Sequence, residues 1–468
     1  MGVLTFNDEF QTAKKPKQLD ISPAEWRQFA NWALVWLGIA NIAFVALWFV
    51  GAPPRAHPIM VAGLVGLLVR KLPTVVQFLA FLGSLMFSTL HFIAGTFNLN
   101  ILSLFHSIKF MAELQPTGSI EYQLVALLGV AMCIGAWFAV RRDSAFGNWR
   151  LLVLAAICVL ALANVDKWMG EGMRGHYKRV AVAGAPFESA MSFTGAEQTA
   201  IAGKRNLAII MVESLGVPAG NAEMEQLLFK AFDDPAIRER FSATRGTTLY
   251  YNSTTAGEVR EMCGRWGDYQ EIVEAGGDRN CLPARMKRAG YSTHAFHSFN
   301  GSFFERDTWY PGIGFDESRF RDRLMADGAE ECGGVFPGAC DRDIPAQLAR
   351  QLKQGGKPQL VYWLTVNSHL PVPTGANLEV ENCERISPEL AREFPMICRQ
   401  FALWDAWEKA LVKELQADDF PPTDFLIVGD HMPPYFDRRH RVQFAPDRVP
   451  YLYLKWRGDA PRAASNGR

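Results

Sequence analysis

The chain has no net charge, because 48 Lys and Arg residues offset 48 Asp and Glu. It therefore carries no summed field that would gather a polyanion, and nucleic acid is not expected as a partner. Residues 1–30 have neither an apolar core nor a small-residue cleavage site, so no cleaved secretory signal peptide is expected. No internal repeat is visible, and only residues 457–468 read as a disordered tail. Cysteine is scarce, with 8 in 468 residues, and no C-x-x-C pair occurs, which argues against a thiolate zinc site. Charge is sparse up to about Asp166 and frequent beyond it.

The charge-poor part contains apolar runs. A bilayer-spanning helix takes roughly 20 apolar residues. Residues 31–50, 73–95, 122–140 and 151–165 read as spans, and the shorter run 59–69 as another. Lys14, Lys15, Lys17 and Arg27 precede the first of these five spans. Arg70 and Lys71 lie between the second and third, and Arg141, Arg142 and Arg150 between the fourth and fifth. The alternate loops carry only Arg55 and Lys109. Positive charge marks the cytoplasmic side, so the N-terminus is expected inside and the C-terminal part outside. The amphipathic stretch 98–114 is expected to lie along the membrane surface. The expected organisation is a cytoplasmic segment 1–30, a transmembrane domain 31–166, a partly helical linker 167–203, an exported domain 204–456 and the tail.

Cysteine placement agrees. Cys133 and Cys158 fall inside spans, where they pack as small hydrophobes. Cys263, Cys281, Cys332, Cys340, Cys383 and Cys398 all fall in the exported part, where an even count points to disulfides. Spacing does not fix the connectivity, but pairing neighbours in sequence closes short loops and makes Cys263 with Cys281, Cys332 with Cys340, and Cys383 with Cys398 the expected set.

From residue 204 strand-like and helix-like stretches alternate, which predicts an α/β fold with a largely parallel sheet. Strands are expected at 207–212, 292–297, 359–366, 424–429 and 449–456, and helices at 221–233, 256–265, 282–289, 343–354 and 397–416. "LAIIMVESLG" (207–216) runs an apolar strand straight into Glu213 and then turns. In open α/β sheets, sites form beyond the carboxyl ends of strands. His297, His369 and the pair Asp430-His431 sit at other such ends. Glu, Asp and His together suit a divalent ion with oxygen and imidazole ligands. Further along, "NSTTAGE" (252–258) fits a capping box from Thr255 to Glu258, so a helix is expected to start there. A helix N-terminus favours phosphate, and a threonine hydroxyl beside a metal can attack phosphorus.

These residues in this order resemble the alkaline phosphatase superfamily. More closely, they resemble its membrane-anchored group of lipoteichoic acid synthases and phosphoethanolamine or phosphoglycerol transferases. The resemblance covers nearly the whole chain. It implies five spans in the bacterial cytoplasmic (inner) membrane and a sulfatase-like domain on the extracytoplasmic, periplasmic side. It implies one divalent metal, zinc or manganese, on Glu213, Asp430, His431 and the threonine nucleophile. The group's substrate-binding pattern His-x6-Trp-x-Arg falls on His297, Phe304 and Arg306, with Phe304 lacking the indole N–H, and its later histidine on His369. Lipoteichoic acid synthases place a Glu four residues after the nucleophile, as Glu258 follows Thr254. Aligning Cys263 with the cysteine of the phosphoethanolamine transferases points instead to Thr255. The better N-cap is Thr255, which favours Thr254 as nucleophile. The implied reaction takes a head-group phosphate from a phospholipid donor to a glycan or lipid acceptor, with ethanolamine and glycerol both open.

Two rivals stand beside this. "CLPAR" (281–285) matches the sulfatase signature C-x-P-x-R, in which the cysteine becomes formylglycine, although Glu213-Ser214 stands where sulfatases carry paired aspartates. The other is an inactive relative that senses lipid. Peptide mapping without reduction is expected to recover the six C-terminal cysteines as three disulfides. Six free thiols would contradict that pairing, and formylglycine at position 281 would identify a sulfatase.

Overall fold

The computed structural model describes residues 21–46, 48, 54–96, 104, 114–115, 117, 120–174, 181, 184–435 and 437–458. The surface segment expected over 98–114 and the tail expected over 457–468 fall outside them, apart from Leu104, Leu114, Arg457 and Gly458. Lys14, Lys15 and Lys17 also fall outside.

Among the described residues, three helices are long and apolar enough to cross a membrane: Thr74–Ala94, Tyr122–Ala139 and Trp149–Met169. The expected short span lies in helix Ala56–Val69. The span expected over 31–50 is broken. Helix Pro23–Ala33 passes into a π-helical stretch Leu34–Ile39, and a separate helix Ile42–Ala46 follows. Asn41 explains the break, because its amide donates to the carbonyls of Trp36 and Leu37, each at 3.2 Å. A side chain inserted into the helical ladder interrupts it. Trp32, Trp36, Phe81, Phe146 and Leu151 form the buried core of this helical unit. Leu68, Leu79, Leu127, Phe138 and Ile157 on these helices are more than half exposed, an apolar surface suited to lipid.

The C-terminal part is a mixed α/β domain. Its strands are β1 (Asn206–Val212), β2 (Phe241–Leu249), β3 (Ser292–His297), β4 (Glu317–Arg319), β5 (Glu331–Cys332), β6 (Gly338–Ala339), β7 (Gln359–Leu364), β8 (Thr423–Gly429) and β9 (Arg448–Trp456). Seven form one sheet in the order β2-β9-β8-β1-β7-β3-β4, and β5 and β6 form a separate ribbon. The five central and right-hand strands, β8 through β4, run parallel, while β9 and β2 add antiparallel. β1, β7 and β8 are buried at every position, which is why they read as unbroken apolar runs. β2 was not expected. Its sequence FSATRGTTL is largely polar at the sheet edge, so no alternation announces it.

Helices fall close to their expected places, including Thr254–Cys263, Leu282–Arg288, Ile344–Leu352 and Pro395–Leu415. Residues 190–203, in the stretch expected as a partly helical linker, form helices Ala190–Thr194 and Ala196–Gly203. Ala190, Ala196 and Ala200 are fully buried in the same core as the sheet. Small side chains let these helices sit directly on it.

All three expected disulfides are present, with Cα separations of 4.0, 4.9 and 5.7 Å, while Cys133 and Cys158 are unbonded. Gly429, the last residue of β8, has no room for a side chain. A Cβ there would lie 2.2 Å from the Leu215 carbonyl oxygen and 3.1 Å from Val449 Cβ. Gly429→Ala is expected to destabilise the domain by about 1–3 kcal/mol, the usual cost of overpacking. Thermal unfolding of the detergent-solubilised chain measures this, and an unchanged midpoint would refute the packing argument.

Candidate active site

Strand register creates the site. Val212 of β1 pairs with Gly429 of β8, so the next residues, Glu213 and Asp430, leave two hydrogen-bonded strands side by side. Ser214 turns the chain there with φ +56°. Its N–H donates to Asp430 Oδ1 at 2.8 Å and its hydroxyl to Glu213 Oε1 at 2.8 Å. The His431 N–H also donates to Asp430 Oδ1, at 2.6 Å. Asp430 Oδ2 is buried without a hydrogen-bond partner.

His431 closes the cluster. Its Nδ1 lies 2.9 Å from the Met432 carbonyl, which can only accept, so Nδ1 carries a proton and Nε2 faces the acids. Nε2 is 3.3 Å from Asp430 Oδ2 and 3.5 Å from Glu213 Oε1. Burial, and then the charge of Glu213, push Asp430 up to about 7. Burial opposes charge on His431, yet Asp430 and Glu213 raise its pKa above the ordinary value. Both shifts report one demand, for positive charge between two buried carboxylates. The ligand atoms of Glu213, Asp430 and His431 lie within 4.8 Å of one another, close enough to hold a metal ion. Among the described residues two other groupings meet that distance, but they use Cys263, Cys281 and Cys340, whose sulfurs are in disulfides.

Thr254 reaches the same point. It begins helix Thr254–Cys263, and its Oγ1 is 3.1 Å from Glu213 Oε2 and 3.3 Å from His431 Nε2. Gly257 lets that helix press on the Asp430 backbone, since a Cβ there would lie 3.2 Å from Asp430 Cα and O. One turn on, Arg260 donates to the carbonyls of Gly429 at 2.8 Å and Asp430 at 3.3 Å, and to Glu261 Oε1 at 2.7 Å. Glu261 in turn accepts the N–H groups of Ala190 and Met191.

Thr255 does not cap the helix as the capping-box reading expected. The helix starts two residues earlier than expected, no side chain caps it, and Thr255 donates to Asp268 Oδ1 at 2.7 Å. Thr255 is thus turned to a different neighbour from Thr254.

The remaining predicted residues lie around this cluster in different roles. His297 ends β3, with Nδ1 3.2 Å from the Leu364 carbonyl and a buried, unpartnered Nε2. Burial, then the Arg306 charge, hold its pKa well below the ordinary value. His369 has Nδ1 2.8 Å from the Leu370 carbonyl, and burial, then His431, lower its pKa to about 4. Arg306 is buried and faces Glu258, with Nε and Nη2 at 3.1 and 2.8 Å from Glu258 Oε2. Glu258 also accepts the hydroxyls of Tyr310 and Tyr362, the latter at 3.0 Å. The Phe304 ring packs 4.4 Å from Phe303 and 5.7 Å from Tyr269, with the Arg306 guanidinium 5.6 Å from its centroid.

Several supports were missed in the sequence. Thr365 Oγ1 accepts the Glu213 N–H at 2.9 Å, and the Ser368 hydroxyl donates to the Glu213 carbonyl at 2.6 Å. Asp341 accepts the N–H groups of Val366 and Asn367 at 3.0 and 2.7 Å. The polar run "TVNSH" after β7 was the available signal. Cys281 is fully buried in its disulfide with Cys263, so it is not available for conversion to formylglycine.

Residues 205–464 match the family model described as Sulfatase. A Rhizobium meliloti (strain 1021) protein named for the modification of cyclic beta-1,2-glucan is 25% identical over 173 residues. That match covers 36% of this chain and only 25% of the relative's length. Among solved structures, the lipoteichoic acid synthase LtaP from Listeria monocytogenes is 18% identical with a TM-score of 0.38, covering 55% of this chain and 67% of that one. The Streptococcus pyogenes phosphoglycerol transferase GacH, in complex with sn-glycerol-1-phosphate, is 14% identical with a TM-score of 0.36, covering 59% and 78%. The periplasmic domain of EptC from Escherichia coli, in complex with Zn, is 15% identical with a TM-score of 0.34, covering 54% and 73%.

Removing one partner of the buried Glu258–Arg306 pair strands the other. Glu258→Ala is expected to cost about 3–5 kcal/mol, and the double variant Glu258→Leu with Arg306→Met to recover most of it. Denaturant unfolding measures both, and a single variant as stable as wild type would contradict the pairing.

Proposed function

The chain belongs to the sulfatase family, and we propose that it is a metal-dependent phosphotransferase. It moves a phospholipid head-group phosphate, phosphoethanolamine or phosphoglycerol, to a hydroxyl of a glycan or lipid acceptor outside the cytoplasmic membrane. The observation that carries this reading is the Thr254 hydroxyl, held at a helix start within hydrogen-bonding distance of both Glu213 and His431.

Glu213, Asp430, His431 and Thr254 fit one divalent ion, zinc or manganese. They offer oxygen and imidazole donors, and Asp430 Oδ2 is a buried acceptor with no partner. When bound, such an ion supplies Lewis-acid stabilisation of a deprotonated hydroxyl. Thr254 Oγ1 attacks the donor phosphorus and gives up its proton. The bond from phosphorus to the diacylglycerol oxygen breaks, and that oxygen takes a proton and leaves as diacylglycerol. The head group stays on Thr254 as a phosphodiester. An acceptor hydroxyl then attacks the same phosphorus, the bond to Thr254 breaks, and Thr254 regains a proton.

His297 and His369 suit the proton traffic. Each has Nδ1 on a backbone carbonyl, so when neutral each carries its lone pair at Nε2. Their depressed pKa values keep them neutral, and either can take the acceptor's proton and return it. Arg306 acts as a buried fixed charge behind His297, with Phe304 packed beside it. The apolar N-terminal helices keep the enzyme where its donor is. Three disulfides and the loop charges support an extracytoplasmic α/β domain. The glucan named for the Rhizobium meliloti relative supports a glycan acceptor.

Intact-mass measurement tests this, using the full chain in detergent with phosphatidylethanolamine or phosphatidylglycerol and zinc or manganese. Wild type is expected to gain the mass of one phosphoethanolamine or phosphoglycerol, and to lose that ability after chelation. Thr254→Ala should abolish the adduct, and Thr255→Ala should keep it. An adduct that survives Thr254→Ala but not Thr255→Ala moves the nucleophile. No adduct with either lipid favours the lipid-sensing alternative.

A further inference from the structure

We propose that the disulfide-closed loop 332–340 forms the wall of the site that receives the diacylglycerol end of the lipid donor, with Phe336 as the contact residue. This rests on the phosphotransferase reading. Cys332 and Cys340 are bonded, and the short strands β5 and β6 pair at the base of the loop, with Cys332 opposite Gly338. The Ala339 N–H donates at 2.8 Å to the carbonyl of Ser298, the residue after His297. The loop is thereby pinned at both ends beside the site. Val335 and Pro337 are buried, whereas Phe336 between them is only half-buried.

Two contacts give the loop its direction. On one side the Phe336 ring lies 3.9 Å from the His369 ring, with Phe299 and Phe303 at 5.7 and 5.8 Å. His369 is itself within the field of His431 and Asp430. On the other side the Val335 carbonyl accepts the Gln115 N–H at 3.0 Å. Gln115 belongs to the same compact unit and stands just ahead of helix Ile120–Ala139, an apolar helix long enough to cross a membrane. One rigid loop therefore joins a histidine of the site to the chain that leads into an apolar helix. A phospholipid has the matching polarity, with a phosphate at one end and an esterified glycerol leading to acyl chains at the other. An aromatic ring inclined at 44° beside His369 gives that glycerol an apolar surface as its oxygen departs. A sugar acceptor would need no tie to the segment before the helix.

The test compares two donors with one head group: phosphatidylethanolamine in vesicles, and glycerophosphoethanolamine, which has no acyl chains. Phe336→Ala in the full chain is expected to raise KM for the vesicle lipid about tenfold, the scale of losing part of one aromatic burial. Its turnover of the soluble donor should fall by a clearly smaller factor than its turnover of the vesicle lipid, and Phe336→Leu should restore most of the lipid KM. Equal losses with both donors would make Phe336 a support for His369 only, and a change confined to the acceptor's KM would make the loop an acceptor wall. Either result, or no change at all, overturns the assignment while leaving the transferase intact. A wild-type chain that transfers from neither donor overturns the transferase reading itself. Independently of turnover, a photoreactive phenylalanine analogue at position 336 should cross-link phospholipid in vesicles, and its failure to do so counts against the proposal even if Phe336→Ala does not fold.

Discussion

Glu213 and Asp430 emerge side by side because β1 and β8 pair in a register that sets Val212 against Gly429. That one register brings two carboxylates together in a buried place, where their mutual repulsion is weakly screened. The rest of the site answers that constraint. Ser214 and His431 turn their N–H groups onto Asp430 Oδ1, Ser214 gives its hydroxyl to Glu213, and His431 and Thr254 fill the space between. A one-residue slip of β8 would turn Asp430 to the other face of the sheet and dissolve the arrangement.

Helix Thr254–Cys263 carries much of what holds the cluster in place, although its sequence TTAGEVREMC is hardly apolar. All of its residues from Thr254 to Met262 are buried. A polar helix can be buried only if its charges are paired, and each of these is. Glu258 takes Arg306 and two tyrosine hydroxyls, and Arg260 takes Glu261 and the backbone of Gly429 and Asp430. Glu261 reaches the first N–H groups of helix Ala190–Thr194, so the segment entering the domain is tied through two side chains to the loop that carries Asp430. Charge is used here for position. Exchanging these residues for apolar ones of equal volume would keep the packing and lose the aim.

Three imidazoles around this cluster share one kind of main-chain contact. His297, His369 and His431 each place Nδ1 on a main-chain carbonyl, which leaves Nε2 free of that contact in all three. The environments then divide them. Burial beside Arg306 keeps His297 neutral, and burial beside His431 does the same for His369, whereas two carboxylates draw positive charge toward His431. The same main-chain contact thus accompanies a raised pKa at His431 and lowered ones at His297 and His369.

Sequence alone was enough for those features whose physics is local. β1, β7 and β8 were legible because full burial on both faces demands uninterrupted apolar runs, and Glu213, His297 and Asp430 were legible as polar residues ending such runs. The three disulfides followed from short spacings, since close cysteines meet without help from the fold. What depends on distant partners was not legible. The polar edge strand β2 is held by its pairing with β9, and residues 190–203 join the core only because a sheet surface is there to bury their alanines. Thr255 satisfied a local capping rule, yet Asp268 claimed its hydroxyl. Arg306 lies in a substrate-binding pattern and its guanidinium pairs with Glu258, a partner spacing did not announce, and Cys281 matched a sulfatase signature, yet Cys263 holds its sulfur. A residue's type and spacing limit what it can bond, but which bond it makes is decided by the partner that tertiary packing brings within about 3 Å.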